Sequence, residues 1–279
     1  MWCQPPAAIS LAQRIISQKE LPLYPWMDTQ RARLPGLSPV SPASWLLQDD
    51  AFAEQMAYRD ELMAGKRSDV YQCRPEGKAG ALELLGVLRD ELPHTSPGYS
   101  RDGHILTRAD GAGIDLAVDD PLICAGRLVQ EDFALLKKNG DQHVFVGGLI
   151  CFPAHWTLSE KMGRSLAGLH DPVDPYDGSM ARRVERIFDN LRVEAPLERF
   201  NFLLYTNPDL YQPELEESPM TVTPGAARYV RVERQTLRRL PETQIVVFAI
   251  HTFLVTSDTI PKSAYNRLCE LDSEISHSI

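Results

Sequence analysis

The sequence has no framework of paired cysteines. Cys3, Cys73, Cys124, Cys151 and Cys269 are odd in number, widely spaced and form no C-x-x-C pair. That speaks against a disulfide scaffold, a structural zinc knot and a cysteine-held iron–sulfur cluster. Long apolar runs are missing as well, and nothing approaches the roughly 18 residues that cross a bilayer. Positive charge is in deficit: 29 Lys and Arg against 38 Asp and Glu leave a net charge of −9. Nothing therefore draws the chain as a whole to phosphate backbones. There is no G-x-S-x-G elbow, no P-loop and no G-x-G-x-x-G after a strand, which weakens hydrolase, NTPase and dinucleotide-binding readings. Met1–Ile16 has neither a basic start nor an apolar centre, so no secretory leader is read. The scattered thiols fit a reducing, cytoplasmic setting.

What is present belongs to a globular protein with a sizeable core: 43% of the 279 residues are hydrophobic and 24% charged. Residues 1–47 form an arm whose 20–47 stretch is proline-rich. Pro22, Pro25, Pro35, Pro39 and Pro42 each fix φ and remove a donor, and no long helix survives. Trp26 and Trp45 make the arm too apolar for a free linker, so it is expected to pack along the rest of the chain. Residues 48–121 read as a helical extension. Helices are predicted over Asp49–Ala64, with Asp49 and Asp50 as caps, and over Lys78–Leu92, ended by Pro93. Residues 94–121 read as loop.

The pattern changes over 122–279. Extended segments at Arg127–Lys138 and His143–Phe152 flank Asn139-Gly140, a pair that tolerates the positive φ of a tight hairpin. Gly147 and Gly148 imply a bulge or a close approach of something flat to the backbone. Thr157-Leu-Ser-Glu160 is a capping box opening a helix to about Leu169, and a second helix is predicted over Gly178–Val193. Strands at Glu198–Thr206, Ala227–Leu237 and Gln244–Val255 come next, then a short amphipathic helix with Tyr265, Leu268 and Leu271. The fold class is α+β: an antiparallel sheet covered by helices, in the hairpin, helices, three-strand order of a PAS-like domain. The three stretches read as one unit overall.

Few residues stand out chemically. His170 follows the helix that ends at Leu169. It can cap the last carbonyls, or present an imidazole to a metal. His155, His170 and His251 lack the spacing of a protein-only metal site, so a single histidine suffices only when the metal brings its own ligands, as haem does. Arg228–Arg239 is strongly basic, but with Tyr229 as its one aromatic platform it does not suit RNA. On a strand Arg231, Glu233 and Gln235 share one face, and Arg234 shares the other with Val232 and Thr236. A buried guanidinium there needs an anion. Glu198, Asn201, Tyr205 and Tyr176 are further polar candidates.

Cys151-Phe-Pro-Ala-His-Trp156, Glu160-Lys-Met-Gly-Arg-Ser-Leu-Ala-Gly-Leu-His170-Asp-Pro-Val173, Arg231-Val-Glu-Arg-Gln-Thr-Leu-Arg-Arg-Leu-Pro241 and Leu128-Val-Gln-Glu-Asp-Phe133 together resemble the haem-dependent oxidative N-demethylase alpha-subunit family. The likeness runs from about Leu21 to Val255. It implies a PAS-like fold binding haem b and its iron, a monooxygenase that activates dioxygen. Its reaction would remove a methyl group from a small secondary amine such as dimethylamine, giving a primary amine and formaldehyde. It also implies a separate flavin and iron–sulfur reductase subunit as partner. By position, His170 is the expected axial ligand and Arg234 the cation that steadies activated oxygen across the ring. Glu233 is the expected catalytic companion, although alternation points it away from Arg234, and Lys161 and Arg231 are assigned to the propionates.

Phe202 stands where the family usually has tryptophan, His251 where it tends to have arginine, and Pro172-Val-Asp-Pro-Tyr176 replaces Pro-Val-Pro. These departures are expected near the pocket, so the substrate need not be dimethylamine. The rival readings are a non-catalytic haem-binding sensor or carrier on the same fold, and a haem-free interaction module in which His170 is only a cap.

Overall fold

The computed structural model describes residues 14–32, 35–169, 178–215 and 228–276. His170 and the loop through Tyr176 lie outside the described residues. The arm is irregular, as its prolines dictate, with one-turn helices at Pro25–Met27 and Pro42–Ser44 and a two-residue edge strand β1, Ser38–Pro39. It is anchored by two tryptophans, each only 2% exposed. Trp26 donates its indole N–H to Ala264 O at 2.7 Å, and Trp45 donates to Glu91 at 3.2 Å. Burying a ring of that size removes on the order of 200 Å² from water, about 5 kcal/mol by area.

Helix α1 (Phe52–Gly65) and the single turn α2 (Arg67–Val70) lead into edge strand β2 (Tyr71–Cys73) and helix α3 (Lys78–Thr95). The expected aspartate caps are drawn elsewhere: Asp50 accepts from the Lys19 N–H and Asp49 from Ala51, and no side chain caps α1 itself. Pro93 does not end α3. It sits in the last turn, where its missing donor leaves a single carbonyl without its helical bond, and the Ser96 N–H still reaches Leu92 O. Residues 94–121 are not all loop. Strands β3 (Ser100–Asp102), β4 (Ile105–Thr107) and β5 (Gly113–Asp115) form a small antiparallel sheet, followed by helix α4 (Pro121–Gly126), which displaces the expected start of the next strand from 127 to 132.

The main hairpin pairs β6 (Asp132–Asn139) with β7 (Gln142–Leu149) around Gly140 at φ +60°, as the Asn-Gly signal requires. Val146 is the extra residue of a bulge opposite Leu135 and Leu136. The Thr157 capping box is present, but the helix it opens is broken in two. Helix α5 (Leu158–Lys161) stops, Gly163 takes φ +83° and gives its N–H to Phe145 O, and α6 (Leu166–Leu169) follows. Helix α7 (Gly178–Asn190), strands β8 (Leu197–Tyr205), β9 (Tyr229–Arg239) and β10 (Val246–Thr256), and helix α8 (Lys262–Ser276) complete the chain.

The large sheet is antiparallel throughout, in the order β1-β8-β9-β10-β6-β7-β2. Both of its faces are covered. On one, Val230, Val232, Phe253 and Val255 pack under Trp26, Leu21 and α8, while Trp45 lies against Phe133. On the other, Leu136, Leu237 and Val246 meet Leu166 of α6 and Phe188 and Leu191 near α7. We call these the arm face and the helix face. The largest core cluster takes Trp45 from the arm, Leu84 and Leu88 from α3, and Phe133 and Leu135 from β6, so the arm, the helical extension and the sheet share one interior.

Candidate functional site on the helix face

Side chains alternate along β9, and Leu237 packs against α6, so Arg231, Glu233 and Gln235 stand on the helix face with it. The register places Asn201 of β8 and Thr252 of β10 on either side of Glu233. Gln235 donates to Glu233 Oε2 at 3.0 Å, and the Arg231 guanidinium lies 3.4 Å from Oε1. The carboxylate is thus fixed from both sides along its own strand.

Arg231 is held in turn. It is 2% exposed and donates to Leu210 O and Phe152 O. The turn that offers Phe152 O is itself tied down by Asp132, which accepts from the Cys151 and Phe152 N–H groups and pairs with fully buried Arg59. Tyr205 sits below the Arg231 guanidinium at 6.0 Å, and burial pushes its phenol up to about 12 although the arginine pulls the other way.

Two acceptors of this cluster, Gln235 Oε1 and Thr252 Oγ1, have no hydrogen-bond partner among the described residues, and the Arg231 Nε donor has only its ion pair with Glu233. Both acceptors belong to buried side chains, Thr252 at 0% and Gln235 at 8% exposure. Unmet buried acceptors are unfavourable by roughly 1–3 kcal/mol each and persist where a ligand answers them. Next to them the same face is apolar and only half-buried: Ala134, Phe248 and Ile250, with Leu169 across. The arm face carries no comparable gap at those strands, since Phe133, Leu135, Val247 and Ala249 are all buried.

Lys161, 8% exposed, donates to Leu169 O at 2.6 Å, and Arg164 reaches Gly168 O. These cations satisfy the C-terminal carbonyls of α6, the element that leads directly into position 170. The close approach expected at Gly148 is made by protein: a Cβ there would lie 2.6 Å from Leu158 and 2.8 Å from the Phe145 ring.

Arg234 is elsewhere. Alternation turns it to the arm face, where it donates to Glu198 at 2.8 Å, Ser44 O at 2.7 Å and Trp45 O at 3.3 Å. The sheet separates it from Glu233 and from α6. Arg234 and Glu233 thus stand on opposite faces, as alternation along the strand requires, while Arg231 and Glu233 are brought together. Two of the departures expected near the pocket, Phe202 and His251, also lie on the arm face; the third, the loop through Tyr176, is outside the described residues. Phe202 pairs with Val232 and packs on Trp26 at 5.5 Å, and His251 pairs with Arg234. Neither borders the row around Glu233, so neither bears on what that row accepts.

His251 instead sits between Asp49 at 3.0 Å and Glu131 at 3.2 Å. Burial opposes its charge, but hydrogen bonds to the two carboxylates outweigh it and raise the imidazole to about 9. Of the remaining candidates, Glu198 serves Arg234, and His155 is stacked on Tyr205 and paired with Glu214. Among the described residues one group has metal-ligand character, His143 with Glu185 and Asp189, but Lys138 already pairs with Asp189. Gln235 and Thr252 carry no functional signal in the sequence. Alternation with Glu233 points to the first; only the strand register reveals the second.

The described residues contain no helix long and apolar enough to cross a membrane. A family model described as haem-dependent oxidative N-demethylase, alpha subunit-like, matches residues 36–278. Most of the chain is covered, including the arm from Gly36, the hairpin, α5 to α7 and the row around Glu233. The chain belongs to the haem-dependent oxidative N-demethylase alpha subunit-like family.

Proposed function

We propose that the chain is the haem-binding catalytic subunit of a multi-component enzyme that demethylates a small secondary amine. The overall change is R–NH–CH3 + O2 + 2 e− + 2 H+ → R–NH2 + HCHO + H2O, with the electrons supplied by a flavin and iron–sulfur reductase on another chain. Five strands in the order β8-β9-β10-β6-β7, with the helices inserted after the hairpin, support a PAS-like reading of the domain. Cys73, Cys124, Cys151 and Cys269 are unpaired, which supports a cytoplasmic setting.

The observation that carries this reading is the fixed carboxylate of Glu233 beside the unanswered acceptors of Gln235 and Thr252, on the face towards which α6 leads. The surroundings fit a flat apolar group with a polar edge. Ala134, Phe248 and Ile250 form an apolar wall, His170 would hold the iron, and Lys161 would face the propionates. Arg231, whose two terminal nitrogens go to backbone carbonyls and whose Nε faces Glu233, is better read as the support of the carboxylate than as a propionate partner. Haem b, when bound, supplies the redox-active iron at which dioxygen is activated.

The chain's own part is binding and orientation. A protonated amine offers N–H donors, and the Glu233 carboxylate, Gln235 Oε1 and Thr252 Oγ1 are acceptors. Arg231 and Gln235 hold the carboxylate in place, and burial strengthens its attraction for the ammonium. Glu233 can then take the amine proton at one of its oxygens. Arg234 has the role of clamping the arm to the sheet.

The purified chain supplied with haem should show a Soret band that His170→Ala weakens or shifts. With an electron donor, oxygen and dimethylamine it should release formaldehyde. A normal Soret band without formaldehyde from any methylated amine would leave a sensor or carrier. No Soret band at all would defeat the haem reading.

A further inference from the structure

Helix α7 forms the outer wall of the helix face, with its apolar stripe inward. Val184 and Phe188 pack on the sheet cluster of Leu136, Leu237 and Val246. Its acidic side chains are occupied: Glu185 pairs with His143 at 2.8 Å and Asp189 with Lys138 at 2.5 Å. What remains for solvent is basic. Arg182, Arg183 and Arg186 are all exposed, and at spacings of one, three and four residues they share one side of the helix. None of the three guanidiniums makes an ion pair or hydrogen bond with a described residue.

Arg192, just beyond α7, is exposed and makes no ion pair with a described residue either, whereas exposed arginines farther away are matched. Arg14 pairs with Glu61, Arg67 with Asp119, Arg89 with Asp90 and Arg267 with Glu270. In a chain of net charge −9, three adjacent guanidiniums without a partner among the described residues form a local positive field over the site wall.

We infer that the solvent side of α7 is the docking surface for an acidic electron-carrying protein. This rests on the haem-enzyme reading above and adds the place at which the electron donor sits. The partner is a protein and not nucleic acid, because the patch is one helix long, has no aromatic platform and sits on an acidic molecule. Docked there, a donor lies one helix diameter, about 10–12 Å, from the face that bears Glu233. An electron from the donor's iron–sulfur cluster would pass to the iron of the haem when it is bound, with no bond made or broken. Guanidiniums suit the task, since they keep their charge at every working pH and pair with carboxylates through two bonds.

The test uses the full chain and plant-type [2Fe–2S] ferredoxin as the acidic probe. Binding is measured by calorimetry without added haem, and haem reduction by stopped flow. Dithionite serves as the donor that needs no docking. Wild type should bind the probe at about 20 mM salt and lose most of that binding at about 200 mM, where charges more than about 7 Å apart are screened. R182E/R183E/R186E should lower the affinity and the ferredoxin-driven reduction rate at least about tenfold, as expected for steered association, while reduction by dithionite is unchanged. Arg267→Glu on α8 should alter neither. Equal binding and reduction in wild type and the triple variant would overturn the inference. So would a wild type that dithionite reduces and ferredoxin does not bind. Self-association of wild type through the same arginines would assign the surface to a second copy instead, and a chain without any reducible chromophore would sink the haem reading with it.

Discussion

Replacing His251 by glutamine should remove an alkaline limit on stability. The imidazole is 1% exposed and lies between two carboxylates, Asp49 on the segment entering α1 and Glu131 before β6. Arg234 is its register partner on β9, and Gln18 and Gln130 complete the network around Asp49. The folded state holds His251 near 9, against an ordinary value of 6.5. A group raised on folding stabilises fully below its unfolded value and loses that contribution as pH climbs through the folded one. The window is therefore pH 6.5 to about 9, and a shift of that size corresponds to about 3 kcal/mol. Asp49 moves oppositely. Burial pushes it up, but hydrogen bonds from His251, Gln130 and Gln18 bring it below the usual carboxylate value, so its contribution disappears as the solution becomes acid. The assay is urea denaturation of wild type and H251Q at intervals from pH 6 to pH 10. The difference in unfolding free energy between the two should be largest at the acid end and shrink by about 3 kcal/mol across the window. A constant difference would show that His251 is neutral in the fold, and the paired carboxylates would then not hold its charge.

Arg234→Ala should destabilise the protein by about 2–4 kcal/mol, because it leaves the buried Glu198 carboxylate with only the looser Arg31 pair at 3.5 Å. Limited proteolysis should then cut first near the arm carbonyls of Ser44 and Trp45 that Arg234 holds, and cleavage unchanged from wild type would refute the clamp. Gly148→Ala should cost about 1–3 kcal/mol, since the new Cβ meets Leu158 and Phe145 well inside van der Waals contact; chemical denaturation measures it, and a neutral change would mean that α5 yields freely. Cys151 should resist thiol reagents in the folded protein, being 0% exposed and pushed up to about 12 by burial, and mass spectrometry after alkylation at pH 8 should find it unmodified while Cys73, half-buried, reacts sooner.

Local signals in the sequence are reliable where a few adjacent residues decide the outcome. Asn139-Gly140 makes its hairpin and Thr157 with Glu160 makes its capping box, because both act within one turn of backbone. Alternation along β9 is enough by itself to separate Glu233 from Arg234. Three features are not legible. The strands at 100–115 are three residues long and too short to show a period. The break at Gly163 depends on a carbonyl of β7 and on the Arg74 guanidinium filling the space beside it. The placement of Phe202 and His251 depends on which residue of a neighbouring strand each one faces, and only the sheet register supplies that. For the same reason Thr252 enters the site unannounced, as a threonine of ordinary type whose partner across the ladder happens to be Glu233.

The central claim is that the helix face of β9, and not the arm face, touches the amine. Formaldehyde release from dimethylamine should be measured for haem-loaded wild type, E233Q and R234K, each checked for an unchanged Soret band. Loss of turnover by at least about a hundredfold in E233Q, with R234K close to wild type, is the predicted result; the reverse pattern, E233Q active and R234K silent, would place the chemistry on the arm face and contradict the assignment.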